Sequence, residues 1–388
     1  MSYVRLSWIL GLLAPVAGVA CSSRPARPQD PELTASFERM HAENRFDGAV
    51  LVAKGDDILY EGSLGVADDE TARRISPETL FDYASISKPI TAALALRLAR
   101  AGRVDLDVPV KNYLMAFPAS DITLRHLLTH TSGLLDHIQF FAKHEQETRD
   151  ILRSSGPVNN ADVLRMLVAD DAAIAEPAGT SWRYSNIGYS IAVSALEAAT
   201  GEPIAKLLQS EVFTPAGMKH AVVLGTAGRT GGAPAALAVD YVKTDDSWAP
   251  RASVPEWEFV ERLGGTIGDG GIAGRPRDLL AFVRSFTSGK LVGMELRDTA
   301  FAKAKLLGDA PVRNEGWQVT SYGLGWTLAD DGAWVGHTGD WGGFLSYVKY
   351  WPATDTTLIY SIHRRRDDWS WLGELEALVV NASKRVDQ

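Results

Sequence analysis

Apolar and polar positions divide the chain into a leader, a helical middle and strand-like runs near both ends. Leu6 to Ala20 is apolar apart from Ser7 and Pro15, whereas residues 22 to 32 (SSRPARPQDPE) hold three prolines and no apolar periodicity. In Phe46 to Tyr60 (FDGAVLVAKGDDILY) two apolar runs flank Gly-Asp-Asp, which predicts two strands joined by a turn. Ser85 to Ala101 has the spacing of a long helix ended by Gly102. Helical periodicity prevails from about Thr123 to Leu207, with breaks at Gly156-Pro157 and Pro177-Ala178-Gly179. Strand-like runs return at Tyr322 to Leu328, Ala333 to Gly336, Phe344 to Trp351 and Thr356 to His363, before a closing helix from Trp371 to Ala382. This order predicts an α+β fold. Its antiparallel sheet is built from N- and C-terminal segments and flanked by helices, and a mostly helical subdomain is inserted at roughly 105–245.

The leader has a basic start (Arg5), an apolar middle and small residues Ala17 to Ala20, the order of an export signal over residues 1–20. Its apolar stretch of about 15 residues is shorter than the roughly 20 that span a membrane. Cys21 follows at once and resembles the lipid-acceptor cysteine of a bacterial lipoprotein, although Gly18 stands where such signals usually carry a larger aliphatic residue. The expectation is an exported, periplasmic protein held to the membrane through lipidated Cys21, with a soluble secreted form as the alternative. Residues 21–36 read as a Pro-rich tether and 37–388 as one catalytic domain.

Composition changes the picture only by exclusion. With 388 residues, 46% hydrophobic and 22% charged, the chain is globular. Forty-eight acidic against 39 basic residues give a net charge of −9 and no general attraction for nucleic acid. A single cysteine leaves no intramolecular disulfide and no multi-cysteine zinc site. Because that cysteine lies in the leader region, a cysteine nucleophile in the body is excluded.

Ser85 and Lys88, at the start of the long helix, are three residues apart and so share a helix face. A serine hydroxyl there feels the positive end of the helix dipole, and a buried lysine amine could take its proton. An ordinary N-cap serine beside a surface lysine accounts for the spacing equally well. A second Ser-x-x-Lys, Ser346 to Lys349, falls in a strand, where residues three apart point to opposite faces. Two further patterns occur once each: Tyr184-Ser185-Asn186 after a Pro-Ala-Gly turn, and His337-Thr338-Gly339 between predicted strands. A phenol can relay a proton, an amide can hold a lysine or a carbonyl, and a glycine-rich strand edge can approach substrate closely.

Ser-x-x-Lys, Tyr-x-Asn and His-Thr-Gly in this order and spacing resemble the signature of the serine β-lactamase and penicillin-binding protein superfamily. The version here is similar to the class C β-lactamase, D,D-carboxypeptidase and esterase branch, with LRHLLTHTSGL at 124–134, GGIAGRPRDLLAF at 270–282 and YGLGWTL at 322–328 extending the match. The resemblance implies a β-lactamase/transpeptidase-like fold and an acyl-enzyme mechanism without metal or organic cofactor. It implies Ser85 as nucleophile, Lys88 as its base and Tyr184 as the group that shuttles protons to the leaving group and activates the deacylating water. Asn186 would hold Lys88 and the substrate amide, and His337, Thr338 and Gly339 would line the groove. The backbone N–H groups of Ser85 and Asp340 would form the oxyanion hole. The expected substrate is a small-molecule or peptide ester or amide, with D,D-carboxypeptidase and then β-lactamase ranked below. A penicillin-binding sensor that is acylated without turnover is the alternative from another class, and the oligomeric state is left open.

Two positions carry their own expectations. His337 replaces the usual lysine, and if its protonated form holds an anion, kcat/KM should fall as pH rises through about 6.5. Asp340 sets a carboxylate beside the place of a substrate carboxylate, so repulsion should disfavour β-lactams. Several other signals read as structural. His126, His130 and His137 lack a metalloprotease pattern, and Gly268 to Ala273 reads as a tight turn flanking the site, not a dinucleotide loop. Arg364 to Arg366 beside Asp367-Asp368 reads as a solvated, paired surface, and Trp341 as a wall of the groove.

Overall fold

The run GAVLVAK is apolar at successive positions, so a strand made from it has to be covered on both faces of its sheet. In the computed structural model, which describes residues 29–170, 173–225, 234–245, 247–309, 312, 321–366 and 370–386, it forms β1 (Gly48–Lys54). β1 turns at Gly55 (φ +52°) into β2 (Asp57–Leu64). The strands that position the site are β3 (Phe81–Asp82), β4 (Val222–Val223), β5 (Ile272–Gly274), β6 (Ser321–Tyr322), β7 (Thr327–Leu328), β8 (Val335–Trp341), β9 (Phe344–Trp351) and β10 (Thr356–Ile362). The main sheet has seven strands in the order β6-β7-β8-β9-β10-β1-β2, and each neighbouring pair is antiparallel. Strands from the two ends of the chain therefore meet at its centre, as the sequence predicts. A smaller sheet, β3-β5-β4, lies outside it.

Helices cover both faces. On one, α1 (Pro31–Ala42) and a C-terminal helix, Ser370–Arg385, pack Phe37, Trp371 and Leu375 against Val50, Val52 and Tyr360. On the other, α2 (Ser87–Arg100) joins the larger core with Leu51, Val348 and Ile359. α2 is buried from Ser87 to Leu96 on all sides, which its run of alanines and leucines permits and which makes it the central helix. Pro89 lies in its first turn, where no intrahelical N–H is lost, and Gly102 (φ +68°) lets the chain leave. The chain between β2 and β6 supplies the helices Leu124–Leu128, α3 (His137–Lys143), Glu145–Ser155, Asn160–Ala169, α4 (Asn186–Thr200) and Ile204–Leu208. The expected breaks at 156–157 and 177–179 fall between them.

Three details correct the sequence reading. The tether does not extend to residue 36, because α1 starts at Pro31. Asp30 caps it by accepting from the N–H groups of Glu32 (3.1 Å) and Leu33 (3.0 Å), and Leu33, Phe37 and Met40 recur on one buried face. Residues 1–28, on which the expected export signal, Cys21 and the rest of the expected tether fall, lie outside the described residues. Tyr322 to Leu328 is not one strand. Gly325 (φ +79°) bends it so that Tyr322 pairs with Thr327 and Ser321 with Leu328. The strand expected at 333–336 instead runs to Trp341 and carries the His-Thr-Gly motif.

Phe37 is fully buried, stacked on Tyr60 (4.9 Å between ring centres) and edge-on to Phe46 (5.4 Å). If α1 is part of the folded body, Phe37→Ala lowers unfolding free energy by about 3–5 kcal/mol, measured by urea unfolding. A change below about 1 kcal/mol would return the helix to the tether.

Candidate active site

Ser85 owes its position to a strained turn. β3 pairs with β5, and the Asp82 carboxylate accepts from the N–H of Ala84 (2.8 Å). Ala84 has φ +48°, in the left-handed region that costs a non-glycine residue roughly 1–3 kcal/mol. The Tyr83 hydroxyl, donating to the Arg275 carbonyl (2.8 Å), helps hold the turn. Ser85 thus sits in a single 3-10 turn, Ala84–Ile86, and α2 begins two residues after it, at Ser87. β8 presses on this turn backbone to backbone. A Cβ added to Gly339 would lie 2.0 Å from the Tyr83 oxygen and 3.2 Å from the Ser85 nitrogen, so only glycine fits.

The three motifs meet at the serine. Lys88 Nζ donates to Ser85 Oγ (2.9 Å), to Asn186 Oδ1 (2.6 Å) and to the Asp269 carbonyl (2.8 Å). The Tyr184 hydroxyl donates to Ser85 Oγ at 3.0 Å. Lys88 is wholly buried, and that desolvation lowers its amine to about 8, although the nearby charges of Asp269 and Asp136 favour the ammonium. Burial pushes Tyr184 well above the ordinary phenol range, so its hydroxyl is a proton donor. The second Ser-x-x-Lys behaves as its strand requires. Ser346 Oγ is within 2.9 Å of Ser361 Oγ, whereas Lys349 on the opposite face bonds Glu376 (2.7 Å).

Asn186 is held from three directions. Beyond accepting from Lys88, its Nδ2 donates to Asp136 Oδ1 (3.0 Å) and to His137 Nδ1 (2.5 Å). The Asp136 carboxylate also accepts the Asn186 backbone N–H (2.7 Å). Burial would raise Asp136, but the interactions with His137 and these N–H groups outweigh it and hold it at about 2. His130, with φ +61°, accepts the Ser185 N–H on Nδ1 (3.1 Å) and packs against the Tyr184 ring (4.3 Å), so it positions the Tyr-x-Asn motif. The His126 ring closes a capping box on the helix Leu124–Leu128. Among the described residues no group of three or more His, Cys, Asp or Glu side chains is placed to hold a metal ion.

His337 is reassigned. Its Nδ1 is 2.6 Å from the Thr338 carbonyl and must donate to it, so Nε2 accepts from the Tyr322 hydroxyl (2.9 Å). Burial, with the Lys88 charge adding to it, lowers its titration to about 3. A neutral His337 cannot hold an anion as an imidazolium, and the expected fall in kcat/KM through 6.5 loses its basis. Asp340 is also reassigned, because Arg365 Nε lies 3.0 Å from its Oδ2 and offsets the charge expected to repel anionic substrates. The three arginines are therefore no solvated patch. Arg364 pairs with Asp69 (2.5 Å), Arg365 reaches the site and Arg366 lies over Trp248.

A cavity of about 270 Å³ opens beside Ser85. β7 pairs only with Val335 and Gly336, so β8 presents its edge from His337 onward to this space, where His337, Thr338, Asp340 and Trp341 line it. Trp341 is a wall, as expected. Trp182, Trp257, Phe259 and Tyr322 are walls that sequence reading missed, as are Asp136, His137 and Arg365. Asp136 and His137 stand just after the quoted LRHLLTHTSGL stretch, a signal that could have found them. Trp257 and Phe259 come from a short helical stretch with no distinguishing pattern.

With neutral Lys88 as proton acceptor and His337 already neutral, kcat/KM for a Ser85-dependent substrate should rise with pH through about 8. His337→Gln should leave that midpoint in place. A profile that is flat from pH 6 to 9, or that falls through 6.5, contradicts this assignment.

Residues 33–379 match the family model described as Beta-lactamase. Penicillin-binding protein 4* of Bacillus subtilis (strain 168) is 29% identical over 363 residues, covering 91% of this chain and 75% of that protein. Esterase EstB of Burkholderia gladioli is 35% identical over 200 residues, which span 48% of this chain and 50% of the esterase. Among solved structures, the D-amino acid amidase of Ochrobactrum anthropi SV3 superposes with a TM-score of 0.72 at 22% identity, over 92% of this chain and 100% of the amidase, a likeness of fold.

Proposed function

The chain belongs to the beta-lactamase family, and on that footing we propose that it is a serine hydrolase that cleaves ester or amide substrates through an acyl-enzyme on Ser85. The observation that carries this reading is the convergence of Lys88 Nζ (2.9 Å) and the Tyr184 hydroxyl (3.0 Å) on one serine oxygen. Neutral Lys88 takes the Ser85 proton as Oγ attacks the carbonyl. The Tyr184 phenol delivers a proton to the leaving group and recovers one from Lys88 through the serine site. The backbone N–H groups of Ser85 and Asp340 face the developing oxyanion, each worth ~3–4 kcal/mol to the transition state. Asn186 fixes the amine and Thr338 borders the substrate, whereas Gly339, expected to line the groove, packs instead against the turn that carries Ser85.

The cavity supports a substrate with an apolar or aromatic group, since Trp182, Trp257, Phe259 and Trp341 line it. Neutral His337 puts no fixed cation where a lactam carboxylate would bind. We therefore rank ester or amide hydrolysis above D,D-carboxypeptidase and β-lactamase activity, in keeping with a relative named as an esterase and a fold neighbour named as an amidase. Purified protein should hydrolyse p-nitrophenyl butyrate faster than nitrocefin, and Ser85→Ala should abolish both. Rapid nitrocefin turnover that depends on Ser85 would reverse the ranking.

Export and lipid attachment at Cys21 belong to the same proposal. Expressed in a bacterium with lipoprotein processing, the chain should fractionate with membranes and Cys21→Ser should not. Equal partition of both into the soluble fraction would remove the anchor.

A further inference from the structure

Beside the large cavity is a smaller chamber, of about 30 Å³ and open on one side, with room enough to hold water. Ser85, His137, Asn186, Asp340 and Trp341 line both spaces, whereas Asp269 borders the small one alone. Asp269 Oδ1 is buried and has no hydrogen-bond partner among the described residues. A carboxylate oxygen so placed needs a donor.

The turn that carries Asp269 is fixed at both ends. Its own carbonyl accepts from Lys88 Nζ (2.8 Å), and the Gly268 carbonyl accepts from Thr91 Oγ1 (3.0 Å). Gly268 (φ +111°) has no room for a side chain, since a Cβ would meet Val193 at 2.4 Å. The backbone of Asp269 is therefore held by α2, the same helix that supplies Lys88, and its side chain borders the space that Ser85 also lines. His137 borders the chamber too.

We propose that this chamber is the hydrolytic-water site and that Asp269 is the general base of deacylation. This rests on the acyl-enzyme reading above and adds the second half-reaction. The water oxygen attacks the acyl carbon while one water proton passes to Asp269 Oδ1. Collapse of the tetrahedral intermediate breaks the bond from carbon to Ser85 Oγ, and Oγ takes the proton of the Tyr184 hydroxyl. A second water entering the same space carries the proton from Asp269 to Ser85 Oγ, whose own proton passes to the Tyr184 phenolate, and the carboxylic acid leaves with the second hydrogen of the first water. The division of labour is chemical: Tyr184, a donor phenol, serves leaving groups, and Asp269, a carboxylate, activates water.

The test is pre-steady-state hydrolysis of p-nitrophenyl butyrate by wild type, Asp269→Asn and Asp269→Ser, with intact-protein mass spectrometry. Both variants should keep the acylation burst within about threefold, lose about 10²–10⁴-fold in steady-state kcat and accumulate a butyryl adduct on Ser85. Hydroxylamine, which attacks without a general base, should restore their turnover. A kcat within threefold of wild type, or burst and kcat falling together, overturns the proposal. Labelling by a fluorophosphonate at the wild-type rate verifies the fold of each variant, and loss of labelling in both also overturns it, since the carboxylate then acts on the turn's structure. If Ser85 carries no adduct in wild type or in either variant, with the butyrate ester or with the fluorophosphonate, the acyl-enzyme reading is what fails.

Discussion

Lys88 Nζ, wholly buried, donates to three oxygens from three parts of the chain: Ser85 Oγ, Asn186 Oδ1 and the Asp269 carbonyl. Burying an amine is costly unless its donors are satisfied, and here all three are. The same burial brings its titration to about 8, near enough to neutrality for it to take a proton. One arrangement therefore ties the central helix to α4 and to the 268–271 turn and sets the chemistry. The surroundings agree with it. Asp136, at about 2, fixes Asn186 without needing a proton, and His337, at about 3, stays neutral and adds no competing cation.

Backbone strain lies directly beside Ser85. Ala84 is left-handed, and Gly339 allows β8 to touch the same turn, so neither partner can move without the other. The sheet supplies the rigidity this requires: β8 and β9 pair along their whole length, and β9 and β10 continue into the buried β1. Function is built where a short β7 leaves the edge of β8 uncovered. The family relationship fits this frame, and tryptophans form much of the cavity wall.

Much of this was legible in the sequence, for identifiable reasons. β1 and α2 were legible because period and composition agree, and the meeting of Ser85, Lys88, Tyr184 and Asn186 was legible because their motifs are ordered. The helix at Pro31 was obscured by prolines, although Asp30-Pro31 is a regular start for one. Charges were read less well. The sequence neighbours of Arg365 and Asp340 suggested a wet surface and a repulsive carboxylate, but the two residues come from different strand ends and meet only in the fold. His337 looked titratable because the Tyr322 hydroxyl and the Thr338 carbonyl that settle its tautomer are brought to it by β6 and by the strand geometry. Asp269 was read as part of a turn, which it is, and its side chain gained meaning only from the space beside it.

The central claim is that burial makes Lys88 a base, and direct titration of its amine tests it. NMR of protein carrying ¹³Cε-lysine, with the Lys88 resonance assigned by Lys88→Arg, should show a midpoint near 8. A midpoint at the ordinary lysine value of 10.5 would contradict the account and leave Ser85 without its proton acceptor.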